Sequence, residues 1–152
     1  MWIPVRDGDP RAVALYKRHY SCGNKAADHV RRGFSGNGES MVLLTLGCSA
    51  LFCWRFQRLY QRDGQKGVNC SVFRNEGPEL SSTLIREADE LAEGRWPGER
   101  HYTYVNPLKI RSTNPGACFL KAGWRKCGVS KGGLVILEKY HTRRARGRNE
   151  TL

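Results

Sequence analysis

The residues best placed to do chemistry lie in two short stretches, "FRNEGPELSST" (73–83) and "RSTNPGACFLKAGW" (111–124). In the first, a strand-like run passes straight into a helix start. The first backbone N–H groups of a helix lack intrahelical partners and the helix dipole is positive there, so such a junction suits an anion. Ser81, Ser82 and Thr83 add hydroxyl donors and Gly77 permits a close approach, which together suit a pyrophosphate. The same serines serve equally as ordinary helix caps. The second stretch reads as a short helix with its limits written in: Asn114 as N-cap, Pro115 at the first helical position and Gly123 as the stop.

Charge gives these stretches a setting. The 152 residues carry 26 Lys plus Arg against 14 Asp plus Glu, a net charge of +12, which suits a phosphate-rich or otherwise anionic partner. Residues 76–100 hold seven acids and three bases, so this segment is −4 and the remainder +16. The phosphate contacts expected from this distribution are Lys17, Arg18, Arg31, Arg32 and the run Arg143, Arg144, Arg146 and Arg148. That run has no apolar periodicity, so residues 141–152 read either as a basic, flexible arm on phosphates or as a solubilising tail.

Other chemistries find less support in the spacing. Six cysteines contain no C-x-x-C pair and accompany no secretion signal, so they read as reduced thiols, mostly in the core. The four histidines are scattered and suggest no metal site. "MWIPVRDGDPR" lacks the basic start and apolar core of a signal peptide, and Met41 to Trp54 is too short to span a bilayer. The expectation is a cytoplasmic protein with no membrane partner.

The elements that must position these residues follow from periodicity. Asp9, Pro10, Ala12, Val13 and Tyr16 predict an N-capped helix running to about Tyr20, followed by a long polar, glycine-rich segment to Ser40. Met41 to Thr45 and Ala50 to Phe56 predict a hairpin turning at Gly47 and Ser49, with "VNCSVFRN" (68–75) as a third antiparallel strand. Leu84, Ile85, Ala88, Leu91 and Ala92 form one apolar stripe with acids opposite, capped by Ser81 or Ser82. "RHYTYV" (100–105) follows as a strand, and residues 124–140 predict a hairpin turning at Lys131, Gly132 and Gly133. Strand, helix, strand from Val68 to Val105 implies a parallel crossover inside an otherwise antiparallel sheet. The sum is one α+β domain over residues 1–140 with a mixed sheet.

This order, with the two opening stretches, resembles the GNAT acyltransferase superfamily over about Asp9 to Lys139. The resemblance implies a mixed, mostly antiparallel sheet with helices on both faces and a splayed parallel strand pair. It also implies acetyl-CoA or another acyl-CoA as cofactor, held by Phe73, Arg74, Asn75, Ser81, Ser82, Thr83, Asn114 and Phe119. There are two departures. The superfamily's glycine-rich phosphate pattern is absent, since "RNEGPELSS" has only Gly77 with Pro78 beside it. In addition, Phe119 stands where a proton-donating Tyr is often found, and its ring has no proton to give. The catalytic candidates for an acyl transfer are then Tyr104 as acid, Ser112 and Asn114 as hydrogen-bond donors, and Glu76 and His19 as bases.

Within the superfamily, "RHYS" (18–21), the loop around "GFSGNGES" (33–40) and "RSTNPGACFLKAGW" are most similar to small bacteriophage proteins related to the Mom-type DNA-modification group. That likeness implies an N-acyltransferase acting on nucleic acid, as in modification of a DNA base in a bacterial host. A non-catalytic module on the same scaffold, binding nucleic acid or a host protein, is the alternative.

Overall fold

The computed structural model describes residues 1–19, 33–58, 64–109 and 115–141. Among these, seven strands form one open sheet: β1 (Trp2–Val5), β2 (Glu39–Thr45), β3 (Ala50–Phe56), β4 (Val68–Asn75), β5 (His101–Val105), β6 (Arg125–Val129) and β7 (Val135–Lys139). Their spatial order is β1-β2-β3-β4-β5-β7-β6. Every neighbouring pair is antiparallel except β4 and β5. The described helices are α1 (Pro10–Arg18), α2 (Ser81–Arg95) and α3 (Ala117–Lys121). None is long and apolar enough to cross a membrane.

The α+β class, the mixed sheet and the single parallel crossover agree with the sequence reading. Strand β1 is an addition to it. "WIPV" is short and contains Pro4, a weak strand signal, yet it pairs with β2 from Trp2↔Thr45 to Val5↔Val42. Strand β7 lies between β5 and β6, so the last hairpin enters the sheet by its second strand.

Two cores sandwich the sheet. On one face α1 buries Ala12, Val13, Leu15 and Tyr16 against Val42, Leu44, Leu51, Cys53 and Val72. Asp9 caps α1, accepting a hydrogen bond from the Arg11 N–H at 2.9 Å, and Pro10 follows at the first position. On the other face α2 packs against Leu43, Phe52, Trp54, Phe56 and Val68. Two indoles tie it to the sheet: Trp2 Nε1 donates to the Leu84 carbonyl (2.7 Å) and Trp54 Nε1 to that of Ala88 (3.0 Å). These carbonyls lie four residues apart on one helix face.

The structure corrects the predicted stripe of α2. Leu91 is 38% exposed, whereas Asp89 and Glu93, expected on the solvent side, are buried. Leu91 follows Leu84 by seven residues, about 20° short of two full turns, which places it just outside the arc that runs from Leu84 through Ala88 and Ala92 to Asp89 and Glu93. The caps differ as well. Leu80, not Ser81 or Ser82, is the N-cap of α2, and it makes no side-chain capping bond. Helix α3 begins at Ala117 after Gly116, so Pro115 stands before the helix and not at its first position. Gly116 has φ +81, and a Cβ there would meet Leu137 Cδ1 at 2.9 Å, so both the backbone and the packing require glycine.

The hairpin turns also carry detail. In the β2–β3 turn the left-handed residue is Cys48 (φ 56), not Gly47, and Thr45 Oγ1 accepts from the Ser49 and Ala50 N–H groups. The last hairpin turns as predicted, with the Gly133 N–H donating back to the Ser130 carbonyl.

Candidate functional site

Strands β4 and β5 pair over three rungs, Val68↔His101, Asn69↔Tyr102 and Cys70↔Thr103, and then part. The cause is local. Cys53 pairs with Val72 and Trp54 with Cys70, so Ser71 is an extra residue in β4, a bulge that bends the strand. The bulge also turns Val72 to the α1 core and Phe73 to the α2 core. Thr103 Oγ1 donates to the Cys70 carbonyl at 2.8 Å and closes the last rung. Beyond it, Val72–Asn75 and Tyr104–Val105 share no rung, which leaves a gap in the middle of the sheet. On the α2 face the gap is apolar: Phe73 lies edge-on to Phe119 (6.0 Å) and Phe119 to Trp124 (4.9 Å).

The chain leaving β4 makes a tight turn into α2. Asn75 organises it, with Nδ2 donating to the Glu79 carbonyl (2.7 Å) and to Ser81 Oγ (3.0 Å), and Oδ1 accepting from Gly77 N–H (3.0 Å). The close approach at Gly77 is made by Ser49, whose Oγ would lie 2.3 Å from a Cβ there. The β2–β3 turn therefore props this loop, with Glu76 N–H donating to the Ser49 carbonyl at 2.8 Å. Because Leu80 has no capping side chain, the first-turn N–H groups of α2 receive no side-chain cap.

Glu76, one of the two base candidates, stands at the end of β4 between two guanidinium groups. Arg18 reaches it through Nε (2.8 Å) and Nη2 (2.9 Å), and Arg74 Nε also donates to it. Arg74 Nη1 further holds the Arg18 carbonyl at 2.7 Å. The hydrogen bonds from Arg18, then those from Arg74, hold the Glu76 carboxyl down at about 2. His19, the other candidate, follows α1 as its C-cap; burial first, and then the Arg74 charge, lower its pKa to about 4. Neither group is tuned to accept a proton near neutral pH.

Tyr104 lies beyond the last β4–β5 rung, half-buried, beside Tyr102 (rings edge-on, 5.9 Å). It faces a hollow of roughly 570 Å³ whose described lining residues are Gln65, Tyr104, Val129, Ser130, Lys131, Gly132, Leu134 and Ile136. Ile136 is the cross-strand partner of Tyr104, so both project to the sheet face opposite α2. The next residue, Val105, projects into the α2 core.

A cluster that the sequence did not reveal sits behind the gap. Asp89, 2% exposed, takes three partners: His101 Nδ1 (2.9 Å), Trp124 Nε1 (3.0 Å) and Lys139 Nζ (3.0 Å). Lys139 Nζ also donates to the Ala122 carbonyl (2.9 Å), and Arg86 donates to that of Lys121 (2.5 Å). The C-terminal end of α3, which carries Phe119, is thus held by two cations. The available signal was an acid four residues after Ile85, inside the apolar period.

The structure therefore brings together Arg18, His19, Arg74 and Glu76 at the α1 end of β4, Asn75 and Ser81 in the turn into α2, and Phe73 and Phe119 on the α2 face of the gap, with Tyr104 beyond the last rung on the other face. Ser82 is buried in α2, while Lys17 and Thr83 are exposed on their helices and are not brought to the gap by any described contact. The side chains of Arg74 and Asn75 are engaged within the turn itself. Ser112, Asn114, Arg31, Arg32, Arg143, Arg144, Arg146 and Arg148 lie outside the described residues. No protein-family model and no curated protein sequence matches the chain.

Proposed function

We propose that the chain is an acyl-CoA-dependent N-acyltransferase with a GNAT-type fold, acting on nucleic acid. The observation that carries this reading is the gap itself: a central parallel pair that parts at a bulge after three rungs and leads directly into a helix start without a side-chain cap. Such a gap exposes main-chain N–H and C=O groups that otherwise need partners. An extended amide-bearing chain such as the pantetheine arm can supply them, and the helix start suits its pyrophosphate. The backbone of Phe73–Asn75 and the first turn Ser81–Thr83 would hold those parts, with the ring of Phe119 beside the thiol end. The fit is incomplete at one point, because the space above Gly77 is filled by Ser49 and not left for phosphate.

Bound acyl-CoA would supply a thioester whose acyl group passes to an amine, one C–N bond forming, the C–S bond breaking and the amine proton ending on sulfur. The chain's own residues orient and shield. Phe73, Phe119 and Trp124 exclude water from the α2 side of the gap. On the opposite side the Tyr104 hydroxyl would be the proton donor that the Phe119 ring cannot be. Lys17 and Arg18 add positive charge on the α1 side, although Arg18 is already paired with Glu76.

The Phe119 ring and the locked Glu76 also favour a second reading, a nucleic-acid- or host-protein-binding module on the same scaffold. Titration with acetyl-CoA while following thermal unfolding separates the two. Binding to the native state must raise its stability, so a flat response at millimolar ligand rules out the cofactor-dependent reading. Expression in a bacterial host, followed by mass spectrometry of digested DNA and RNA, then looks for an acylated nucleoside. Unchanged nucleosides beside an acylated protein lysine or small amine would remove nucleic acid as the substrate.

A further inference from the structure

The open sheet ends on β1 at one side and on β6 at the other, and the two edges differ in chemistry. Strand β1 contains Pro4, which has no N–H to offer a further strand. Strand β6 contains no proline, all of its residues are exposed, and among the described residues its one strand partner is β7. The Ser130 N–H donates to the Leu134 carbonyl at 2.8 Å. Bonded and unbonded pairs alternate along an antiparallel ladder, so the main-chain N–H and C=O of Val129, opposite Val135, point away from β7 to the open edge. Lys126 stands opposite Leu137 and Val129 opposite Val135, both of which face the α2 core, so their side chains share that side of the edge. Val129 is 68% exposed there. Residues 125–131 hold Arg125, Lys126 and Lys131 and no acid. The neighbouring Glu138 is buried and already shared by Arg100 Nε (2.7 Å) and Arg125 Nη2 (2.6 Å), so it does not neutralise the edge.

We infer that the outer edge of β6 is a docking site for an extended acidic segment of a partner protein, which adds to the sheet as a further strand. Its acids face Arg125 and Lys126, and a β-branched residue lies beside Val129. An open edge offers N–H donors and C=O acceptors in turn, and a peptide strand answers both, whereas a nucleic-acid backbone presents phosphates that only accept. Charge then decides among strands. A second copy would set one +12 chain against another and bring two basic edges together. The chain's own residues 142–152, with Arg143, Arg144, Arg146 and Arg148, are repelled in the same way. Basic side chains on an edge guard against indiscriminate pairing, and the same charges select an acidic strand. With β7 and β5 between this edge and the gap beside β4, the assignment is independent of the acyl-transfer reading.

The test titrates a dye-labelled, end-blocked heptapeptide of alternating glutamate and valine against the full chain and reads fluorescence anisotropy, with hydrogen exchange of the β6 amides in parallel. Two control peptides carry lysine in place of glutamate, or the same glutamates with alternate backbone amides methylated. The acidic peptide is expected to bind and to slow exchange of the Val129 amide at least several-fold. The lysine peptide is expected not to bind. The methylated one keeps the charge but loses the ladder, so it should bind at least several-fold more weakly. Lys126→Glu should weaken the acidic peptide about tenfold. Val129→Pro removes an outward-facing N–H and no bond to β7, and should weaken it at least several-fold. Arg6→Glu makes the same charge change just past β1, at the opposite edge of the sheet, and should leave binding unchanged. Circular dichroism checks that each variant folds; if Val129→Pro does not, exchange at Val129 in the unaltered chain decides. Equal binding of the methylated peptide, unchanged exchange along β6, or equal loss in Arg6→Glu overturns the site. So does a single-stranded DNA oligonucleotide that protects the same amides, which makes the edge a phosphate surface. Protection of these amides in the chain alone, at concentrations where ultracentrifugation shows a dimer, gives the edge to a second copy and likewise overturns it.

Discussion

Asp89 and Glu76 are both carboxylates that gather basic partners, one inside the α2 face of the sheet and the other at the mouth of the strand gap. Asp89 is buried, with an indole, an imidazole and an ammonium at hydrogen-bond distance. Glu76 is partly exposed and held by two arginines that themselves reach solvent. A buried ion pair gains a strong mutual attraction but suffers if one partner is removed, because the other charge is left without water. An exposed pair is screened, and its loss is met by hydration. The first cluster is therefore where the fold is vulnerable, and the second is where charge can be rearranged at little cost.

The largest expected effect tests the buried side of this contrast. Asp89→Ala leaves Lys139, His101 and Trp124 Nε1 without their shared acceptor, and urea unfolding should show a loss of about 3–5 kcal/mol. A loss below about 1 kcal/mol would mean that water or rearrangement rescues the cluster. Next comes Gly116→Ala, which combines a left-handed backbone with a methyl group pressed on Leu137. A cost of about 2–3 kcal/mol is expected from the strain and overpacking together. A near-neutral result would show that α3 is free to shift away from the gap.

The third prediction concerns pH. The folded pKa of His19 lies near 4, below its ordinary value of 6.5, because burial and Arg74 favour the neutral ring. Its contribution is present above pH 6.5 and is lost as pH falls from 6.5 through 4, a change on the order of 2 kcal/mol. His19→Gln should flatten stability in that window, and NMR should follow the ring titrating near 4. Glu76 produces the smallest effect. Its contribution is present above about 4.5 and fades as pH falls towards 2, and Glu76→Gln should lower stability by less than about 1 kcal/mol. A larger loss would place Glu76 beside Asp89 as a structural group.

Much of the architecture was legible in the sequence. The Asp9–Pro10 start, the β2–β3 meander, the α2 period and the Gly133 turn are local signals, and each element formed near its expected place. The elements misread were those whose signals are weak or decided by neighbours. Strand β1 has only four residues and includes Pro4, and it gains its stability from β2 and from the bond between Trp2 and Leu84. Ser81 and Ser82 have the right chemistry for a cap, but Asn75 holds the turn in a way that makes Leu80 the boundary. Of the candidate site, Tyr104, Glu76, His19 and the α2 start could be singled out by type and position. The hollow with Gln65 and Lys131 was not, because its walls come from the β3–β4 connection and from the last hairpin.

By itself the sequence determined the class of the fold, the helix and strand periods, the parallel crossover and the basic surface charge, since these depend on composition and on spacings of a few residues. Only the tertiary structure decided that Ser71 is a bulge, that β7 enters beside β5, and that Asp89 is buried with partners 12, 35 and 50 residues away. The reason is physical: a bulge is defined against the register of a neighbouring strand, and an acid tolerates burial only when distant donors converge on it.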